Sequence, residues 1–324
     1  MVPGSRPRVG RVQQATRAPW CSNDRHGDKL LPFAARPVAG RISQHTTCER
    51  CSVTAPSDRV AKILALPDPH AWTGSVPSWL GDPSQRGIGQ FIDHTLLKAE
   101  AMPAEIDHAA QVARELGTAA VCINGRWVER VRKALEGSTV KTCAVVGFPL
   151  GAMASSVKAD EARQAIADGA VELDMVMSLG EAKAGHWDLV AKDIAAVIAA
   201  AGKVPVKVIL ETALLGPTEL VQASLVAVDA GAAFVKTSSG FHGAGGAMEP
   251  AVRLMRRAVG ANIGVKASGG VRTSEMAIRF LAAGASRLGC SATAEMTGIV
   301  GPGAPPLSEL FAKLPDPAPA PDGF

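Results

Sequence analysis

The sequence predicts an α/β chain folded as a closed (β/α)8 TIM barrel with a disordered N-terminal extension, and three observations carry this reading. From about residue 89 onward, short apolar runs rich in β-branched residues alternate with helix-like runs, which implies parallel strands joined by helical crossovers. Eight such strand-like runs fall within roughly 220 residues, the size of one closed barrel. The phrases Asp168-Gly169-Ala170, Asp229-Ala230-Gly231 and Ala283-Gly284-Ala285 recur between a helix-like run and the next strand-like one, where glycine suits a helix C-terminus. A doubly wound open sheet is the alternative, but the early glycine-rich dinucleotide loop it calls for is missing.

Taken in order, residues 1–85 are rich in Pro, Arg, Ser and Gly and show no sustained period. They read as a disordered extension with one short helix near 59–66. Being Arg-rich and acid-poor, they are open to reading as an organellar transit segment or as an upstream start; the next Met, Met102, lies past Asp93. The barrel is expected over 86–314. Its first strand is the short piece Phe91-Ile92-Asp93, followed by a helix opened by Pro103. Further strands fall near 119–123, 142–148, 171–177, 206–211, 234–237, 264–267 and 287–289. The helices between them fall near 126–135, 157–168, 187–201, 218–230, 250–259 and 274–283. Residues 315–324, rich in Pro and Ala, read as a flexible tail.

Composition narrows the partners. The 324 residues are 47% hydrophobic and 20% charged, enough for one large core, and contain no Tyr. The net charge of +4 is unevenly spread: residues 1–90 hold 12 Lys and Arg against 6 Asp and Glu, and residues 91–324 hold 22 against 24. The barrel is therefore near neutral, and no nucleic-acid partner is expected. No run of 18 uncharged apolar residues exists, so no membrane partner is expected. The chain also begins without an apolar leader, so a reduced, cytoplasmic protein is the expectation. Cys122, Cys143 and Cys290 sit in strand-like runs and read as core thiols. Cys48 and Cys51 form a single CxxC in the extension, a weak zinc signal without a second pair. The seven His residues show no metal-ligand spacing, and neither metal nor cofactor is expected.

Charge on buried strands is what points to chemistry. Lys236 lies in Phe234-Val235-Lys236-Thr237-Ser238-Ser239-Gly240 and Lys266 in Val265-Lys266-Ala267-Ser268-Gly269-Gly270, late on neighbouring strands six and seven. An ammonium there is expensive unless its charge is used or removed. Asp174 lies on strand four, Asp93 ends strand one, and Lys207 and Glu211, four apart, share one face of strand five. Six ionisable side chains thus converge on one barrel mouth, where such folds place chemistry. A single buried charge is commonly half of an ion pair, but six on barrel strands favour a functional site. Amine, cation and carboxylate together suggest carbonyl chemistry through a Schiff base. A free lysine, with a pKa of about 10.4, needs roughly 4 kcal/mol to reach the range of about 7–8 useful to a nucleophile. One cation about 4 Å away at an effective dielectric of about 20 supplies about 4 kcal/mol. Two independent lysines neutralised by Asp174 and Glu211 are the bland alternative.

Glycines close three strand ends: Gly240 after strand six, Gly269 and Gly270 after strand seven, Gly289 at the end of strand eight before Ser291. Glycine lets backbone N–H groups approach an anion, and the loops after strands seven and eight are the usual phosphate cradle of this fold. Ser239, Ser268 and Ser291 add hydroxyls, and Arg272 is a candidate charge. A phosphorylated substrate follows.

Five segments in order resemble deoxyribose-phosphate aldolase: Ile92-Asp93-His94-Thr95-Leu96-Leu97, Glu172-Leu173-Asp174-Met175-Val176, Val206-Lys207-Val208-Ile209-Leu210-Glu211-Thr212, the Lys236 segment through Phe241, and the Lys266 segment through Arg272. The resemblance spans about residues 89–300. It implies a class I aldolase that reversibly cleaves 2-deoxy-D-ribose 5-phosphate to acetaldehyde and D-glyceraldehyde 3-phosphate without a metal, in deoxynucleoside catabolism. It implies Lys236 as the Schiff-base nucleophile, Lys266 as the cation that perturbs it, and Asp174 as the proton donor and acceptor. Asp93, Lys207, Glu211, Thr237, Ser239, Gly240, Ser268, Gly269, Gly270, Gly289 and Ser291 are expected to bind substrate or its phosphate. Some relatives fold a C-terminal tyrosine over the site; with no Tyr here, water, Thr237 or Ser239 has to substitute. Barrels of this kind often dimerise, which leaves a homodimer open. The competing readings are another Schiff-base aldolase of transaldolase type and a non-catalytic barrel that binds sugar phosphates.

Overall fold

The computed structural model describes residues 56–66, 75–82, 84–296 and 298–314. The CxxC of the extension and the tail at 315–324 lie outside these residues. Eight strands run β1 (Ile92–Leu96), β2 (Ala120–Ile123), β3 (Lys141–Val146), β4 (Glu172–Val176), β5 (Val206–Ile209), β6 (Phe234–Lys236), β7 (Gly264–Ser268) and β8 (Arg287–Cys290). Each pairs in parallel with the next, and β8 returns to β1 with Asp93 opposite Gly289, closing the expected barrel. All five residues of β4 are buried, as a strand covered on both faces must be.

The helices that cover the outside are α1 (Pro56–Ala65), α2 (Pro103–Leu116), α3 (Val128–Ala134), α4 (Ser155–Ala167), α5 (Leu179–Lys183), α6 (Trp187–Ala201), α7 (Pro217–Asp229), α8 (Glu249–Val259), α9 (Ser274–Ala283) and α10 (Leu307–Ala312). Local chemistry sets their ends. Pro103 and Pro217 open α2 and α7, where Glu105 and Glu219 accept the N–H of Met102 (2.8 Å) and Gly216 (2.9 Å). Thr273 caps α9 by accepting the Met276 N–H. Gly284 ends α9 at φ 127°, and a Cβ there would fall 2.5 Å from that of Arg256. The Arg256 guanidinium then binds the carbonyls of Gly284, Gly260 and Ile263, filling the space the glycine leaves. A buried ion pair, Lys158 with Asp193 at 2.7 Å, joins α4 to α6, and Lys158 also donates to the Val176 carbonyl at the end of β4.

Three results differ from the sequence expectation. Strand one begins at Ile92, because Phe91 belongs to a 3-10 turn, and runs on to Leu96, so Asp93 lies near its start and not at its end. Strand five stops at Ile209 rather than 211, because Glu211 adopts a left-handed backbone (φ 54°) and opens a short 3-10 turn. The extension, expected to be disordered over 1–85, contributes two described pieces that pack on the barrel. Helix α1 buries Val60 and Ile63 and pairs Arg59 with Asp229 of α7, while Arg257 of α8 holds the Leu66 carbonyl. Trp79 lies under Arg256 and donates to the Leu281 carbonyl, and Leu80 beside it is buried. Their few apolar positions are too sparse to show a period, yet they cover apolar surface of α7 to α9. Leu80→Ala should therefore cost about 2–4 kcal/mol of stability, measured by denaturant unfolding; a change below about 0.5 kcal/mol would show that this segment contributes nothing to the fold.

Candidate active site

The barrel interior holds a network of buried charges. Asp174 is fully buried and is its centre. Lys207 Nζ donates to Oδ1 at 2.8 Å, and Lys236 and Lys266 each donate to Oδ2 at 2.7 Å. The two lysines are direct partners across β6 and β7, and since both touch one oxygen their nitrogens lie at most about 5.4 Å apart. Asp93 accepts from Lys266 at 2.5 Å and from Arg287 at 2.7 Å. Glu172 pairs with Lys207 at 2.8 Å and Arg287 at 3.0 Å, and half-exposed Lys141 reaches it from the lower rim. Below, the Phe234 ring lies against Arg287 and Lys207; it occupies the space where Gly264 has no side chain, for a Cβ there would stand 2.0 Å from the ring.

Ionisation follows from the pairing. Burial works against the charge of Asp174, but Lys207, Lys236 and Lys266 overcome it and hold its carboxyl well below the ordinary carboxylate value. Burial likewise opposes charge on Asp93, and Lys266, Lys207 and Arg287 hold it low. Burial would lower Lys266, yet Asp174 and Asp93 raise it above the ordinary lysine value; Lys207 is raised against burial, with Asp174 the leading partner. Burial pushes the Cys143 thiol up, and Cys143 sits 3.2 Å from Asp174 Oδ1.

Above this floor opens a cleft of about 260 Å³ at the C-terminal mouth. Lys236 lines its base. Ser239, Gly240, Ser268, Gly269, Gly270, Gly289 and Ser291 line its wall, and so does Arg272. Gly269 and Gly270 have φ of 87° and 86°, values closed to most side chains. Among the described residues, no protein group accepts the backbone N–H of Gly240, Gly269 or Gly270. Gly289 has a second purpose: a Cβ there would fall 2.7 Å from that of Ser268 and 3.2 Å from Lys266 Cε. It leaves room for the lysine stem.

Four expected substrate contacts stand elsewhere. Asp93 and Lys207 are sealed in the ion network beneath the cleft. Thr237 does not line the cleft; its hydroxyl donates to the Ser268 carbonyl and accepts the Ser268 N–H, both at 3.0 Å, tying β6 to β7. Glu211 does not share the inward face with Lys207, because the strand has already ended; its carboxylate turns to Ser239. The bland alternative, in which Glu211 neutralises one of the lysines, is thereby removed. Sequence reasoning missed Thr95, Leu97, Lys98 and Phe241, which line the cleft. Their place at the end of β1 or in the loops that follow β1 and β6 at the barrel mouth was the available signal. It also missed Arg287, which sits at the start of its strand, and it read Cys122 and Cys143 as core thiols although both face Asp174.

A lysine at the base of a barrel-mouth cleft, backed by a second lysine and a shared carboxylate, defines the protein class as a lysine-dependent aldolase barrel. Residues 88–298 match the DeoC/LacD family aldolase, and the chain belongs to that family. The deoxyribose-phosphate aldolase of Streptococcus mutans is 52% identical over 205 residues, 63% of this chain and 93% of its own length. That of Brevibacillus brevis is 52% identical over 204 residues, 63% and 92%. The solved deoxyribose phosphate aldolase of Aeropyrum pernix, described as tetrameric, superposes with a TM-score of 0.62 at 29% identity over 75% of this chain and 97% of its own.

The depressed carboxyls set an acid limit. Asp93, Glu172 and Asp174 all lie below their ordinary values in the folded state. Their contribution is fully present above an unfolded carboxylate pKa of about 4 and is lost as pH falls below it. Denaturant midpoints should vary little between pH 7 and 5 from this source and fall steeply below about pH 4. A midpoint unchanged at pH 3 would show that the network adds no net stability.

Proposed function

We propose that this protein is a deoxyribose-phosphate aldolase, a carbon–carbon lyase that reversibly cleaves 2-deoxy-D-ribose 5-phosphate to D-glyceraldehyde 3-phosphate and acetaldehyde. One observation carries the residue roles: Lys236 and Lys266 share a single oxygen of Asp174, and of the two only Lys236 lines the cleft. The contacts support the division of labour. Lys266 is held by two carboxylates, Asp93 and Asp174, and Lys207 by Asp174 and Glu172, and these partners keep both lysines protonated. Lys236 touches Asp174 alone and is the amine that opens to the cleft.

In the cleavage direction, Lys236 Nζ attacks the sugar aldehyde, and the adduct takes up a proton and loses water to form a protonated imine. Removal of the proton on the C3 hydroxyl breaks the C2–C3 bond, and the bonding pair moves into the protonated imine to give a neutral enamine. Glyceraldehyde 3-phosphate leaves, C2 takes up a proton, and water releases acetaldehyde. Asp174 is the carboxylate within reach of the reacting nitrogen and serves as proton donor and acceptor, through water where a step lies beyond it. Lys266 keeps a positive charge beside the imine. The N–H groups of Gly240, Gly269 and Gly270, with Arg272, supply the phosphate cradle. These steps draw on no metal or cofactor. The cytoplasmic setting is part of the proposal and is supported by the free thiols of Cys122, Cys143 and Cys290; among the described residues no helix is long and apolar enough to cross a membrane. A homodimer has only the tetrameric relative in its support.

Borohydride reduction in the presence of acetaldehyde should trap an adduct whose peptide mass places it on Lys236, and Lys236→Leu should abolish both trapping and turnover. An adduct on another lysine refutes the assignment, and sugar-phosphate binding without an adduct would favour the non-catalytic barrel.

Lys266→Met removes the cation that shares Asp174 Oδ2 with Lys236 but keeps the stem. Without that neighbouring charge the ammonium form of Lys236 is favoured over the reactive amine. Activity at pH 7 should fall by about two to three orders of magnitude and recover in part as pH rises. An equal loss at every pH would mean that Lys266 only places Asp174 or substrate.

A further inference from the structure

Glu211 has no part in the chemistry above, yet the chain holds it in an unfavourable state. It is 1% exposed and, among the described residues, is the one non-glycine with positive φ. No lysine, arginine or histidine within the described residues pairs with its carboxylate, although burying a carboxylate without a cation is costly. Its charge is met by one loop. Oε2 accepts the Ser239 hydroxyl at 2.5 Å, and both oxygens face the Ser239 N–H at 3.2 and 3.3 Å. The Ser239 oxygen in turn accepts the Phe241 N–H at 3.1 Å. The residues on either side of Gly240 are thus both fixed from Glu211, and Gly240 carries one of the unpaired N–H groups of the cleft.

We infer that Glu211 is a positioning residue for recognition of the substrate's phosphate: it acts through Ser239 to aim the Gly240 turn at the anion. This inference rests on the aldolase reading above. The left-handed backbone has a purpose on this view, since it ends β5 and swings the carboxylate from the barrel axis to the β6 loop. The same contact changes the role of Ser239. Its hydroxyl proton and its N–H are both directed to Glu211, so it shapes the cradle and does not donate to the phosphate as the sequence suggested. The order extends to β7, where Ser268 donates to the Ser238 carbonyl at 2.7 Å and Ala247 donates to the Gly269 carbonyl at 3.0 Å. The loops after β5, β6 and β7 are one connected cradle, with Glu211 at its outer end.

The test compares 2-deoxyribose 5-phosphate with unphosphorylated 2-deoxyribose in full-length protein. Glu211→Gln keeps the shape but turns one acceptor into a donor facing the Ser239 N–H. KM for the phosphorylated sugar should rise about 10-fold, the worth of one charge-assisted contact. Its kcat, and kcat/KM for the unphosphorylated sugar, should stay within about threefold. Ser239→Ala should shift the same ratio in the same direction, and the double variant should be no worse than Glu211→Gln alone. An equal loss for both sugars, an unchanged ratio, or additive effects in the double variant would each overturn the inference; Ser239→Ala decides the matter should Glu211→Gln fail to fold. A wild-type protein that does not turn over the phosphorylated sugar would instead overturn the aldolase reading itself.

Discussion

The carboxylate of Asp174, holding three lysine nitrogens inside a closed barrel, is the contact on which the rest of the structure depends. A carboxylate or an ammonium alone at that depth would be driven to its neutral form. Paired, Asp174, Lys207 and Lys266 stay ionised, and each then fixes its neighbours. Lys207 brings in Glu172, Lys266 brings in Asp93, and Arg287 bridges Glu172 and Asp93, so that β1, β4, β5, β7 and β8 are cross-linked through the axis. The backbone yields where this requires space. Gly264 gives way to Phe234, whose ring faces two of the cations, and Gly289 gives way to the stem of Lys266. Buried networks of this kind are weak evidence for stability, and one that opens onto a cleft through Lys236 is better explained by reactivity than by folding.

The cleft above has the opposite design. Its floor is ionic, but its β6 and β7 wall is made of glycine and serine backbone, with Arg272 at the edge. The separation is physically useful. A phosphate bound by formal charges at the floor would compete with Asp174 for Lys236 and Lys266. A phosphate bound by N–H dipoles at the rim leaves the floor's ion pairs untouched. Placing the amine on a strand and the cradle on loops braced by Thr237 and Glu211 holds both ends of one small substrate without coupling their ionisation.

Much of this was legible in the sequence, because the strands and the buried charges obey simple periods. All eight strands overlap the runs that predicted them, and Asp93, Asp174, Lys207, Lys236 and Lys266 meet because each occupies an inward position of its strand. Glu211 failed that logic for a local reason: the period of two holds only while the strand continues, and β5 ends two residues earlier. Thr237 failed similarly, being one step past β6 and turned to Ser268. Arg287 was invisible because the sequence does not say that a charge at the start of β8 and one on β4 reach the same point along a tilted barrel. The packing of α1, Trp79 and Leu80 could not be read at all, since it rests on a few apolar side chains whose partners lie over 150 residues away in sequence.

The clearest gain from the structure is the set of contacts. Strand position alone made Lys236 and Lys266 equivalent, two lysines late on neighbouring strands. Their partners and their access to the cleft make them different. Lys266 is held by two carboxylates, Asp93 and Asp174, and is closed off from the cleft; Lys236 is held by Asp174 alone and is open to it. One carboxylate oxygen thus holds a closed lysine and an open one side by side, which is the arrangement the proposed imine chemistry at Lys236 calls for.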